Sequence, residues 1–168
     1  MSNENTVFVQ IFYRPKRKLI LKRGYEASNY YEHGEEVGFH FWRVLSNIKG
    51  AIYEPAGFWL PENLRIQGTS KYVLGVEVPF DYKGSIPNEM EIITLEECTY
   101  LIFQGPSFLP DMMEQAICEM EGTIENYDPT VYGWRWADEY APKIEYDPKP
   151  ERGYIFARPV KAIKSNEY

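Results

Sequence analysis

The hydrophobic pattern changes period several times along the chain, and each change marks an element. Val7-Phe8-Val9-Gln10-Ile11-Phe12-Tyr13 is a β-branched and aromatic run that predicts a strand. Pro15 ends or kinks it, and Lys18 to Lys22 can continue the same edge. The basic run Arg14 to Arg23, with Lys16, Arg17, Lys18 and Lys22, is interleaved with Leu19, Ile20 and Leu21, which reads as a strand with a solvated rim. Val37, Phe41, Val44, Leu45 and Ile48 then fall in one stripe at helical spacing, predicting a helix near 32–48 with Gly50 as its stop. Trp42 lies on the flank of that stripe and Phe39 nearly opposite. Each needs another partner: a covering loop, a second subunit or a ligand.

Gly57-Phe58-Trp59-Leu60 is a short candidate strand, and Tyr72 to Pro79 a clearer one. Ile92-Ile93-Thr94-Leu95 and Thr99 to Phe103 read as one long strand or two short ones. A second helix is predicted near 108–126. Pro110, Asp111 and Glu114 suit its first turn. Met113, Ala116, Ile117, Met120 and Ile124 form its buried stripe, Glu121 and Glu125 face away, and Cys118 is an outer, unpaired thiol. Asp128-Pro129 ends it. Lys143 to Tyr146 and Tyr154 to Arg158 are the last strands. The order is β-α-β-β-β-α-β-β, and Tyr72–Pro79 corresponds roughly to Tyr154–Val160. Two β-α-β-β units, about 7–80 and 91–162, predict an α+β fold in a single domain: one antiparallel sheet, both helices on one face and a central cleft.

Composition changes this picture in one respect. Of 168 residues, 16% are aromatic, which supplies either an aromatic core or a cavity for flat ligands. Charge excludes more. A net charge of −7 with no basic patch argues against nucleic-acid binding and against anionic membranes. The start, Met1 to Asn5, lacks the pattern of a signal peptide, and no apolar run approaches the length of a membrane span. A soluble cytoplasmic protein with reduced thiols is expected. Cys98 and Cys118 have no metal spacing. His33 and His40, seven apart near the polar side of the first helix, are expected to be solvated. No metal and no cofactor are predicted.

What remains is aromatics and carboxylates. Tyr132-Gly133-Trp134-Arg135-Trp136 places two tryptophans in a loop, followed by the strand Pro142-Lys143-Ile144-Glu145-Tyr146. Alternation sets Glu145 opposite Ile144 and Tyr146. It is then either a buried carboxylate at the cleft floor, where burial without a partner is costly and therefore functional, or a solvent-facing one.

Three segments carry a family resemblance: Leu95-Glu96-Glu97-Cys98-Thr99-Tyr100-Leu101-Ile102-Phe103-Gln104-Gly105-Pro106, Pro142 to Tyr146, and Gly153-Tyr154…Arg158-Pro159-Val160-Lys161. In order and spacing, over nearly the whole chain, they resemble the GyrI-like domain, the effector-binding domain of AraC-type and related multidrug-sensing regulators. The resemblance implies the duplicated fold, a small-molecule cleft, and Glu145 as the buried glutamate that meets drug-like ligands among aromatic rings. It also resembles a stand-alone subfamily that hydrolyses cyclopropane-bearing, DNA-alkylating natural products. On that reading Glu145 and Tyr100 are the candidate catalytic residues. Trp59, Trp134, Trp136, Phe58, Trp42, Phe103 and Tyr146 are the candidate ligand-binding residues. The partner is a bulky aromatic small molecule, held by a monomer or weak homodimer. The alternatives are a non-catalytic drug-sequestering module, a ligand-sensing partner of a transcription regulator, and a scaffold whose aromatics are core.

Overall fold

The structure, a computed structural model, describes residues 6–164; the Met1–Asn5 segment lies outside them. Among the described residues nine strands and three α-helices follow in chain order: β1 Phe8–Arg14, β2 Arg17–Arg23, α1 Tyr30–Val37, α2 Phe41–Ser46, β3 Ala56–Trp59, β4 Tyr72–Pro79, β5 Glu91–Leu95, β6 Cys98–Gln104, α3 Met113–Glu125, β7 Trp134–Trp136, β8 Lys143–Tyr146 and β9 Ile155–Ala162. The strands form one sheet in the order β1-β6-β9-β8-β3-β4-β2-β5, with β7 on β9, and every pairing is antiparallel. Exchanging β1 with β5, β2 with β6, β3 with β8 and β4 with β9 reverses the order onto itself. The expected α+β fold with duplicated units is therefore the fold observed.

Pro15 kinks the first strand rather than ending it. Phe8 pairs with Gln104 and Arg14 with Cys98, and the same register continues beyond the kink, where Arg17 pairs with Leu95 and Leu21 with Glu91. The β1–β2 and β5–β6 segments are thus two long, bent strands lying along each other. Because β2 also pairs with β4, and β6 with β9, the sheet closes on itself as a barrel.

Alternation divides the side chains between the two faces. The inner face holds Leu19, Leu21, Phe58, Val73, Tyr100, Ile144 and Ala157 in one continuous core. On the outer face, Phe41 and Leu45 of α2 pack on Ile20, Leu74 and Val76, and Met120 and Ile124 of α3 pack on Leu101, Phe103 and Val160. Both helical segments lie on that one face, as the two-unit reading requires.

Four local expectations are corrected. The helix expected over 32–48 is two helices, because Gly38 between them has φ 104°, a conformation that side chains rarely adopt. Phe39 folds back over α1, where a Cβ on Gly34 would strike its ring. Trp134–Trp136 is a short strand on β9, not a loop. His33 is buried, with its Nε2 2.9 Å from the Lys22 carbonyl oxygen, and burial lowers its pKa. The solvated rim assigned to Arg14 and Arg17 is the largest departure. Both are buried inside the barrel with Glu77, itself 1% exposed. Arg14 Nη1 donates to Glu77 Oε2 at 2.6 Å and Arg17 Nε to Oε1 at 2.7 Å. Cys98 is buried and Cys118 exposed, both as free thiols.

Candidate functional site

β3 and β8 meet where the strand order reverses, with Gly57 opposite Glu145 and Trp59 opposite Lys143. These four positions belong to the outer face, and the helices leave them uncovered along a cleft. Gly57 is required there: any Cβ would strike the hydroxyl end of Tyr72, which occupies the space beside Glu145.

Two recesses open along the cleft. The first, about 580 Å³, is bounded by Tyr30, Tyr31 and Trp42 from α1 and α2, Tyr72 from β4, Met113, Glu114 and Ile117 from α3, and Glu145 with Asp147. Three carboxylates and no lysine or arginine are among its described lining residues. The second, about 570 Å³, is bounded by Trp59, Trp136, Tyr154 and Phe156, with Glu121, Glu125, Lys143 and Arg158. Glu121 and Glu125, expected to face away, stand at this recess.

The two recesses meet at a wall of paired groups. The Tyr154 hydroxyl donates to Glu145 Oε2 at 2.7 Å, and Trp59 contacts Tyr72 edge-on with ring centroids 5.1 Å apart. The Trp59 indole is fixed by donating from Nε1 to the Ser28 carbonyl at 3.0 Å. Tyr30 meets Trp42 edge-on at 5.9 Å. Glu145 has no cationic partner among the described residues. Burial pushes its pKa up, partly offset by the Tyr154 bond, and Glu121 adds a further upward push. Burial and the Glu145 charge also raise Tyr72 and Tyr154, so both stay protonated as hydrogen-bond donors. Tyr154 spends its proton on Glu145, whereas Tyr72, a lining residue of the first recess, has no protein partner for its hydroxyl among the described residues.

Of the residues expected at the site, Glu145 and Trp42 line the first recess, and Trp59 and Trp136 the second. Trp136 is held by the Arg158 guanidinium, 4.1 Å from its ring centroid, and Arg158 in turn donates to Asp138 at 2.7 and 3.0 Å. Trp134, half-buried, packs against the outer-face cluster that α3 joins and lines neither recess, and fully buried Phe103 meets Trp136 without reaching either recess. Tyr146 borders the first recess, but its hydroxyl accepts from Arg14 inside the barrel at 2.5 Å. Phe58 and Tyr100 are on the inner face. Tyr100 is 0% exposed and its hydroxyl accepts from Arg17 at 3.2 Å, so strand parity removes it from the cleft. Four tyrosines that line the cleft, Tyr30, Tyr31, Tyr72 and Tyr154, are not among the residues expected there, and Tyr72 and Tyr154 are the two that sit beside Glu145. The signal for these two was present: they begin the two segments that correspond between the halves, so a pseudo-twofold places both beside the β3–β8 junction.

No family model matches the sequence, and no curated protein matches it. Solved structures do. SAV2435, solved bound to tetraphenylphosphonium, superposes with a TM-score of 0.51 at 17% identity, over 95% of this chain and 96% of that one. A proposed bacterial transcription regulation protein from Staphylococcus aureus gives 0.50 at 18%, over 92% and 99%. EcmrR, solved in a complex with DNA, gives 0.50 at 11%, over 94% of this chain but 58% of its own length. At these identities the likeness is one of architecture, and the architecture is the GyrI-like fold that the sequence resembles.

Proposed function

We propose that the protein binds bulky aromatic small molecules bearing a positive charge, with that charge in the first recess. The observation that carries this reading is Glu145: a half-buried carboxylate with a tyrosine donor, no cation, and an aromatic surround. An organic cation there gains the carboxylate and the ring faces together, a combination that strengthens as water is excluded. Tetraphenylphosphonium on SAV2435, a protein of the same fold, supports that ligand class. The test is titration with tetraphenylphosphonium and with neutral triphenylphosphine oxide, followed by tryptophan fluorescence. Selective binding of the cation, weakened by Glu145→Gln, supports the reading. Equal affinity for both compounds, or an unchanged Glu145→Gln, rejects it.

A second reading, hydrolysis of cyclopropane-bearing alkylating compounds, draws on the unpaired Tyr72 hydroxyl. A conjugated cyclopropane opens when a donor polarises its carbonyl and a base aims water at the strained carbon. On this reading Tyr72 would be that donor and Glu145, whose pKa burial raises, that base; both line the first recess, which supports the pairing. Incubation with such a compound followed by mass spectrometry separates the readings. The gain of one water, lost in Glu145→Gln, marks turnover; unaltered compound marks a sequestering module.

A further inference from the structure

β1 stands at one end of the strand order and pairs with β6 along one edge only. Its other edge presents backbone groups with no partner strand among the described residues. The side chains on both of its faces are unusually bare for their chemistry: Phe8 is 68% exposed, Val9 39%, Ile11 58%, Phe12 40% and Tyr13 55%. The opposite edge strand, β5, shows no such exposure; its residues are half-buried or buried throughout. Edge strands that stay single are commonly blunted by lysine, proline or a bulge. Phe8 to Tyr13 contains none of these, and the one basic residue of the strand, Arg14, is turned inward to Glu77.

We propose that the free edge of β1 pairs antiparallel with β1 of a second copy, making one continuous sheet across a twofold axis. Three observations select this occupant. The segment Phe8–Tyr13 carries no charge, so the strand avoids the repulsion that a net charge of −7 imposes between copies elsewhere. The strand is self-complementary, as an isologous contact demands. And the exposed area is of the right order: at these exposures five such side chains present roughly 500 Å² per protomer, of which pairing hides the flanks that face the partner together with the bare backbone edge, so two copies bury at most about 1,000 Å², the size of a weak, concentration-dependent contact.

Parity fixes the register. Val9, Ile11 and Tyr13 face one way, and Phe8, Gln10 and Phe12 the other. A twofold perpendicular to the sheet must match like faces, so odd positions oppose odd ones. Full overlap of the strand sets Ile11 against Ile11 and Val9 against Tyr13. Directly opposed residues have Cα atoms about 4.5–5.5 Å apart, inside the window for a disulfide.

The experiment uses the full chain in sedimentation velocity at roughly 100 µM, above the micromolar range expected for a contact of this size. A dimer is expected, and Ile11→Lys should return it to monomer with an unchanged circular dichroism spectrum, since Ile11 is exposed and its loss leaves the core intact. In a Cys118→Ser background, Ile11→Cys should oxidise to a covalent dimer at least ten times faster than Gln10→Cys, which opposes position 12. A monomeric wild-type chain, a dimer that survives Ile11→Lys, or equal cross-linking at positions 10 and 11 overturns the proposal.

Discussion

Two glutamates on opposite faces of the same sheet have opposite surroundings. Glu77 points into the barrel, where Arg14 and Arg17 each donate to one of its oxygens. Tyr146 and Tyr100 accept further bonds from the same guanidiniums, and Arg14 lies 3.9 Å from the Tyr53 ring centroid. The charge is matched within the protein. Glu145 points outward into a cleft, with one tyrosine hydroxyl and no cation among the described residues. A buried carboxylate already supplied with two cations belongs to the architecture: it joins the bend of β1–β2 to β4. A carboxylate left without one is the feature on which the proposed cation site rests.

The contrast is broken most severely at Glu77. Glu77→Ala strands two buried guanidiniums, and removing one member of such a cluster costs about 3–5 kcal/mol. Thermal unfolding should show a fall of that size, with cation binding lost only as folding is lost. Glu145→Gln should do the reverse at neutral pH. Its stability should equal or slightly exceed that of the wild type, because a desolvated charge is removed and Tyr154 keeps an acceptor. Affinity for tetraphenylphosphonium should fall about tenfold, equivalent to ~1.4 kcal/mol, measured by fluorescence titration.

Acid should sharpen the difference. The pKa of Glu145 is raised in the folded state, so the unfolded chain ionises first as pH rises. Its contribution to stability is therefore most favourable below the ordinary carboxylate value. That contribution declines between the ordinary and the raised value, and the penalty is complete above the latter. Cation affinity runs the other way, falling with acid and starting to fall above the ordinary carboxylate range. Titration of affinity against pH checks this, and Glu145→Gln should flatten the profile. The smallest effect is a probe of the outer helix face. Cys118 should react with a thiol reagent in the folded protein, while Cys98, buried and with its pKa pushed up to about 11, should react only on unfolding.

How the sequence bears on these two sites follows from what alternation can express. It placed Glu145 opposite Ile144 and Tyr146, and it located all the strands except β7. It could not say which face of a strand is the inside of a closed barrel. Tyr100 and Phe58 were accordingly assigned to a cleft they do not meet, and Arg14 and Arg17 to solvent. A pattern of basic and apolar positions looks the same whether the bases meet water or a buried carboxylate 60 residues away. Helical periodicity likewise carried Val37 and Phe41 in one stripe across Gly38, because the stripe records burial and is blind to the backbone conformation of one glycine.

The closure of the barrel by exchanged strands also bears on how the chain reaches this state. The first strand of the first half completes the sheet of the second, and the first strand of the second half completes that of the first. Tyr13 bonds Glu97 across 84 residues, and Arg14 bonds Tyr146 across 132. Loop entropy must be spent before such contacts return anything, so folding is expected to be slow for the chain's size and limited by docking the two bent ribbons. Neither half holds a complete sheet when severed from the other. Two fragments cut within the loop between β4 and β5 should each remain unstructured alone and regain native circular dichroism only when mixed.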